Sequence, residues 1–156
     1  MRELSALSRR RVKKLAVYAG VALAVVLLAG SLGRRNSVSG PKGGTNEQRL
    51  AYIRSLGWEA GSEPQEEKEV FLPETFPEVL NNYNELQKKA GFDLKKYAGK
   101  TVHMYVYRLT NCPGDAETLC TLYVRRGRIV GGDIHSTAFR GFMRPLQRTE
   151  EMNKNG

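Results

Sequence analysis

Residues 101–136 read TVHMYVYRLTNCPGDAETLCTLYVRRGRIVGGDIHS. Three runs in this stretch, Thr101–Thr110, Thr118–Arg125 and Arg128–Ser136, are rich in β-branched and aromatic side chains, and turn residues bound them. Both features mark strands. Arg126-Gly127 is a two-residue turn, and Pro113-Gly114-Asp115-Ala116-Glu117 is a longer one. The stretch therefore predicts a three-stranded antiparallel meander. Gly131-Gly132 inside the third strand predicts a bulge or a close backbone approach.

Upstream, the pattern changes from period two to helical. Thr45 and Gln48 are spaced as a capping box, Leu50, Ile53 and Leu56 form a helical stripe, and Gly57 is a stop. Trp58 is read as a core anchor. Gly61–Lys68 reads as an acidic loop and Glu69–Pro73 as a short strand. A second helix is expected from about Glu74 to Ala90, with Phe76, Val79, Leu80, Tyr83, Leu86 and Ala90 on one face. Asp93 caps a helical turn over Leu94–Tyr97. This order predicts a small α+β domain with two helices on one face of a mostly antiparallel sheet.

The N-terminal third is different in kind. Leu15–Leu32, LAVYAGVALAVVLLAGSL, is uncharged and follows Arg9-Arg10-Arg11-Val12-Lys13-Lys14. As a helix it covers about 27 Å, near the thickness of a hydrocarbon core. The sequence therefore divides into a basic cytoplasmic N-terminus (1–14), a transmembrane signal anchor (15–33), a flexible linker (34–45), an extracytoplasmic domain (46–147) and a disordered tail (148–156). Flanking charge places the N-terminus in the cytoplasm and the domain outside. The alternative is a signal peptide cleaved near Ser31, which would release the domain. Ser31 stands where a lipoprotein would carry its lipidated cysteine, which argues against a lipid anchor. Ala16, Gly20 and Ala24 form a small-xxx-small face that permits helix pairing.

The formal charge of +9 suggests nucleic acid at first sight. However, residues 1–35 hold eight Lys/Arg against one Glu, so the charge is mainly a topology signal and nucleic acid is excluded as a partner. Outside that segment, residues 36–87 are net −5 and residues 88–148 net +8. Either the two halves neutralise each other on folding, or the basic half faces an anionic headgroup, an anionic envelope polymer or an acidic envelope protein.

Two cysteines, Cys112 and Cys120, flank the longer turn, and outside the cell a disulfide across the hairpin mouth is expected. Their spacing fits no zinc motif.

Asn46-Glu47-Gln48-Arg49-Leu50 and Leu56-Gly57-Trp58-Glu59, then Tyr83-Asn84-Glu85-Leu86-Gln87, Gly91-Phe92-Asp93-Leu94, Tyr97, Gly99-Lys100 and Val130-Gly131-Gly132-Asp133, together resemble the bacterial family called domain of unknown function 4830. The resemblance covers about residues 46–147. It implies a small Gram-positive protein with one N-terminal membrane segment, and it implies no activity and no catalytic residue. Cys112 departs from it, since an aromatic residue is expected there.

Asp133 and His135 share one face of a strand and His103 lies on another, so these three are the candidates for a facial metal site or a catalytic cluster. The plainer reading is a strand-end Asp bonded to backbone with both histidines in solvent. Ser136 faces away from His135, and Glu66, Glu67 and Glu69 read as a solvated acidic run. No phosphate loop, nucleophile elbow or HExxH pattern is present. Tyr105, Tyr107 and Tyr123, with Arg108, Arg125, Arg126 and Arg128, could form a surface for a sugar polymer or an extended peptide. Alternatively, they pack across strands, with arginine stems covering tyrosine rings. The sequence thus predicts a membrane-tethered extracytoplasmic binding module that has no catalytic activity and takes no cofactor. The alternative is a cell-envelope enzyme with its site around Asp133, His135 and His103.

Overall fold

The computed structural model describes residues 38–112 and 117–147. The segments read as N-terminus, membrane anchor and tail (1–14, 15–33 and 148–156) lie outside the described residues. Among the described residues, no helix is long and apolar enough to cross a membrane.

The chain runs α1 (Asn46–Ser55), β1 (Glu66–Leu72), α2 (Glu78–Lys89), a 3-10 turn (Leu94–Tyr97), β2 (Lys100–Arg108), β3 (Thr118–Arg125), β4 (Arg128–Ser136) and β5 (Met143–Pro145). The five strands form one antiparallel sheet in sequence order. The expected meander is its centre.

Several boundaries moved for physical reasons. The helix expected from Glu74 begins at Glu78, with Pro77 at its N-cap. Proline disfavours the helical region for the residue before it, so Phe76 stays extended and enters the core at 8% exposure. The acidic run Glu66–Lys68 is not a loop but the first half of β1, paired with β2 from Glu66↔Val106. It is an edge strand, where charge on exposed positions is tolerated and discourages further pairing. Thr45 caps α1 as expected, its Oγ1 accepting from Gln48 N–H at 3.3 Å. Gln48 Oε1 accepts from Gly44 N–H, one residue before the position a capping box uses.

The two helices do not share a face of the sheet, as the sequence suggested. Side chains alternate along each strand, so the row Tyr105–Leu122–Gly132 and the row Val106–Thr121–Asp133 point in opposite directions. On the first face Ile53 of α1 joins Trp58, Tyr105, Tyr107, Cys120, Leu122, Ile134 and Leu146 in one core. On the second, Leu80 and Tyr83 of α2 pack with Leu72, Leu94, Val102 and Val130. Trp58 anchors the first core as expected and donates from Nε1 to Leu146 O at 2.9 Å.

Residues 38–45, read as the end of a flexible linker, are packed. Lys42 bridges to Arg128, Ile129 N–H donates to Pro41 O, and Gly43 N–H donates to Gly127 O. This strap lies on the β4 edge that β5 takes further along.

Gly131-Gly132 fulfils both sequence expectations. The register slips at Tyr123/Val124, where Val130 and Gly131 together oppose Tyr123. A Cβ on Gly132 would stand 2.3 Å from Thr121 O and 2.9 Å from Leu146 Cδ1. We therefore expect G132A to cost about 2 kcal/mol or more, since backbone cannot yield as a side chain can. The test is a drop in the urea midpoint at unchanged slope. G61A, whose Cβ meets only Glu63 O at 3.9 Å, is the neutral control.

Candidate functional site

The bulge sets the phase of the rest of β4. After it, Gly131, Asp133 and His135 face α2. A bare Gly131 leaves room there, since its Cβ would meet Leu94 Cδ2 at 2.8 Å and Gln87 Oε1 at 2.9 Å. Gln87 uses that room to accept from Gly132 N–H at 2.7 Å. One turn earlier on α2, Tyr83 donates its hydroxyl to Asp133 Oδ2. Asp133 Oδ1 is 2.8 Å from His135 Nδ1.

Asp133 is only 2% exposed, and a buried carboxylate is costly unless hydrogen-bonded. Here each oxygen has its own partner. The Tyr123 hydroxyl lies 3.5 Å from that of Tyr83, and the two rings meet edge-on with centroids 6.3 Å apart. Burial, reinforced by the Asp133 charge, pushes the Tyr83 phenol far above its ordinary range, so it remains a donor at all physiological pH. Burial likewise raises Tyr123. The bond to Asp133 raises His135 above the ordinary imidazole value, against the opposing effect of burial. The Asp133 contact selects the Nδ1–H tautomer and leaves Nε2 as the outward-facing nitrogen.

These groups stand at the edge of a cleft of about 700 Å³ between α2 and the sheet. Val79, Leu80 and Leu86 of α2 form one wall, and Met104, Val106 and Leu119 form the floor. The cleft lies beside the packing of α2 on the sheet: Leu80 and Tyr83 pack with Val102 and Tyr123, and the groove runs on over Met104, Val106 and Leu119.

His103 does not belong to this site. It lies on the Tyr105 face of β2, with Nε2 3.6 Å from Glu69. The facial metal site is thereby corrected: two of its three members meet, the third is on the other side of the sheet, and no metal-holding group of three or more His, Cys, Asp or Glu occurs among the described residues.

The aromatic–arginine surface is also divided. Tyr105 and Tyr107 are buried under α1, and the guanidinium they meet belongs to Arg49. Its Cζ lies 3.6 Å from the Tyr105 ring centroid, and its Nε donates to Tyr107 Oη at 2.7 Å. Tyr123 lies on the cleft face. Arg108 pairs with Glu117 at 3.4 Å, Arg125 donates to Thr101 O, and Arg128 donates to Gly40 O. Arg126 occupies the left-handed region at the β3–β4 turn.

Cys120 is buried in the first core and Cys112 packs half-buried against it. Register places Cys120 opposite Tyr107, well before Cys112 on the other arm of the hairpin, so they are not a facing cross-strand pair. Burial pushes the Cys120 thiol far up, which keeps it protonated.

Sequence reasoning named Asp133 and His135 but missed Tyr83 as their partner. The sequence places Tyr83 on the inner face of α2 and predicts the Gly131-Gly132 bulge, but neither says which face of the sheet Asp133 takes or which helix covers it.

The family model described as Domain of unknown function (DUF4830) matches residues 52–134, more than half of the chain. The match takes in Tyr83, Tyr123 and Asp133 and ends one residue before His135. No curated protein and no solved structure matches.

The network carries a pH dependence. An imidazole raised by folding adds stability that is complete below its unfolded value, near 6.5, and is lost as pH rises through the folded value. Wild-type stability should therefore fall relative to H135A as pH rises above about 6.5. Chemical denaturation at several pH values checks this. In D133N, NMR titration should show the His135 pKa moving down, and an unchanged value would remove Asp133 as the cause.

Proposed function

The chain belongs to the DUF4830 family, whose description assigns no activity, and we propose from the site itself that the domain is a membrane-tethered extracytoplasmic binding module. The observation that supports this reading is an apolar cleft lined at one end by a polar network in which both Asp133 oxygens are bonded. Ligand sites have this form: apolar walls supply affinity and a few fixed polar groups supply orientation. Asp133 has both oxygens engaged, so the group that offers itself to a ligand is His135 Nε2, a donor when the ring is protonated. The ligand class is thus an apolar chain ending in an acidic or acceptor group, contributed by an envelope lipid, polymer or protein.

The Asp133–His135 pair favours one other reading, a cell-envelope hydrolase with His135 as general base. No serine, cysteine or threonine nucleophile is bonded to His135 among the described residues, so binding is the reading we adopt.

The test uses the full chain in nanodiscs with octanoate as the aqueous probe. Methyl resonances of Val79, Leu80 and Met104 should shift saturably, and H135A should weaken binding about tenfold, the value of a charge-assisted hydrogen bond. Octylammonium binding as well as octanoate, or no saturable shift, would reject the proposal. Hydrolysis of 4-nitrophenyl octanoate that is lost in H135A and kept in H103A would instead establish the hydrolase.

A further inference from the structure

The β4–β5 connection presents apolar side chains that the described residues leave partly or wholly exposed. Phe139 is 96% exposed, Met143 53% and Phe142 37%. These side chains stand on a built loop. Ser136 N–H donates to Phe142 O at 3.0 Å, Gly141 N–H to Ala138 O at 2.8 Å, and Thr137 N–H to Glu117 O at 2.9 Å. Arg140 adopts the left-handed region at φ 62, and a Cβ on Gly141 would stand 2.7 Å from Ser136 O. The backbone is thus specified in detail to hold outward a ring that no neighbour buries.

The exposed rings carry cations. Arg140 Cζ lies 5.9 Å from the Phe139 centroid and Arg144 Cζ 4.5 Å from that of Phe142. Residues 137–147 contain these two arginines and no acidic side chain. Exposed apolar groups interleaved with guanidinium groups match the layered chemistry of a bilayer interface, with acyl chains below and anionic phosphates above. A soluble polyanion would need the arginines but would leave Phe139 in water.

Where the chain enters the fold supports the same partner. Val38 is already packed, and Lys42 bridges to the β4 edge that β5 shares, so in sequence four residues, 34–37, lie between Val38 and the apolar segment. Four residues span about 15 Å at most. This support rests on the tethered reading under Proposed function; the chemistry of the loop does not.

We propose that the hairpin tip, Phe139 to Arg144, docks the domain on an anionic lipid surface. The phenyl rings enter the interface, and Arg140 and Arg144 meet headgroup phosphates.

The test is F139W in the full chain, reconstituted into vesicles of phosphatidylcholine with or without phosphatidylglycerol and carrying spin-labelled acyl chains. Wild type supplies the Trp58 background. Phe139 makes no core contact, so an unchanged thermal melt is expected and confirms the fold. In anionic vesicles the F139W emission should shift to the blue and be quenched. Reversing Arg140 and Arg144 to Glu should lower the docked-to-undocked ratio by about fivefold per arginine or more. Emission unquenched and equal in both lipids, in protein that floats with the vesicles, overturns the proposal. So does a blue shift without quenching that grows with protein-to-lipid ratio, which would mean self-association. Failure of the tether reads differently: a carbonate wash would then strip wild type from its vesicles, whereas anionic vesicles added to that unanchored protein would still quench F139W.

Discussion

A carboxylate buried within a β-sheet is the constraint on which the rest of this structure depends. Asp133 sits in the row Val106–Thr121–Asp133–Pro145, away from water, and its charge is tolerable only with both oxygens bonded. His135 comes from the same strand two residues on, which the strand repeat guarantees. The second partner has to come from another element, and Tyr83 fixes where α2 can lie. The face of that helix toward β4 accordingly mixes polar groups with its apolar ones. Asn84 and Gln87 are fully buried, with Asn84 accepting from Leu94 N–H at 2.7 Å and Gln87 reaching Gly132. A helix positioned by directed bonds to β4 has no reason to slide over the apolar floor of β2 and β3, and the cleft is what it leaves open.

The opposite face of the sheet obeys a different rule. There the core is filled, and the one charge inside it, Arg49, is held by a tyrosine ring, a tyrosine hydroxyl and Gly43 O. Arg49 ties α1 to β2 and to the strap in one step, so the residues just before α1 are part of the fold. Trp58 and Leu146 lock the same core from the two ends of the described chain. One face of the sheet is therefore covered by the larger core, and the other carries a second, smaller core with the cleft beside it.

Local signals made the central meander, the α1 cap, the Trp58 anchor and the Gly131-Gly132 irregularity legible in the sequence. Elements fixed by tertiary pairing were harder to read. Glu66–Lys68 has loop composition and becomes a strand because β2 offers a free edge. Met143–Pro145 is three residues long and carries no periodicity. The helices were assigned to one face because a sequence shows that a helix has an apolar side but not which side of the sheet receives it. The same limit governed the site. Asp133 and His135 are adjacent in pattern, and His103 was added only because its residue type suited the chemistry; register sends it to the other face. Tyr105 and Tyr107 look like a binding surface because aromatic and basic residues share those strands, whereas the arginine that meets them, Arg49, lies 58 residues before Tyr107.

Met143 joins the cleft to the exposed hairpin. It lies on the hairpin beside Phe142, and it also lines the cleft with Asp133 and His135. The two apolar regions are thus neighbours rather than separate patches. If the hairpin rests in the headgroup layer, the adjoining end of the cleft faces that layer too, and an apolar chain moving from bilayer to cleft has less water to cross. Met143 is the cross-strand partner of His135, so the Met143 side of the hairpin and the His135–Asp133 pair lie together at one end of the cleft, and the apolar residues of α2, β2 and β3 extend beyond them; under the proposed docking an acidic group held at His135 would stay on the headgroup side with its apolar chain along those walls.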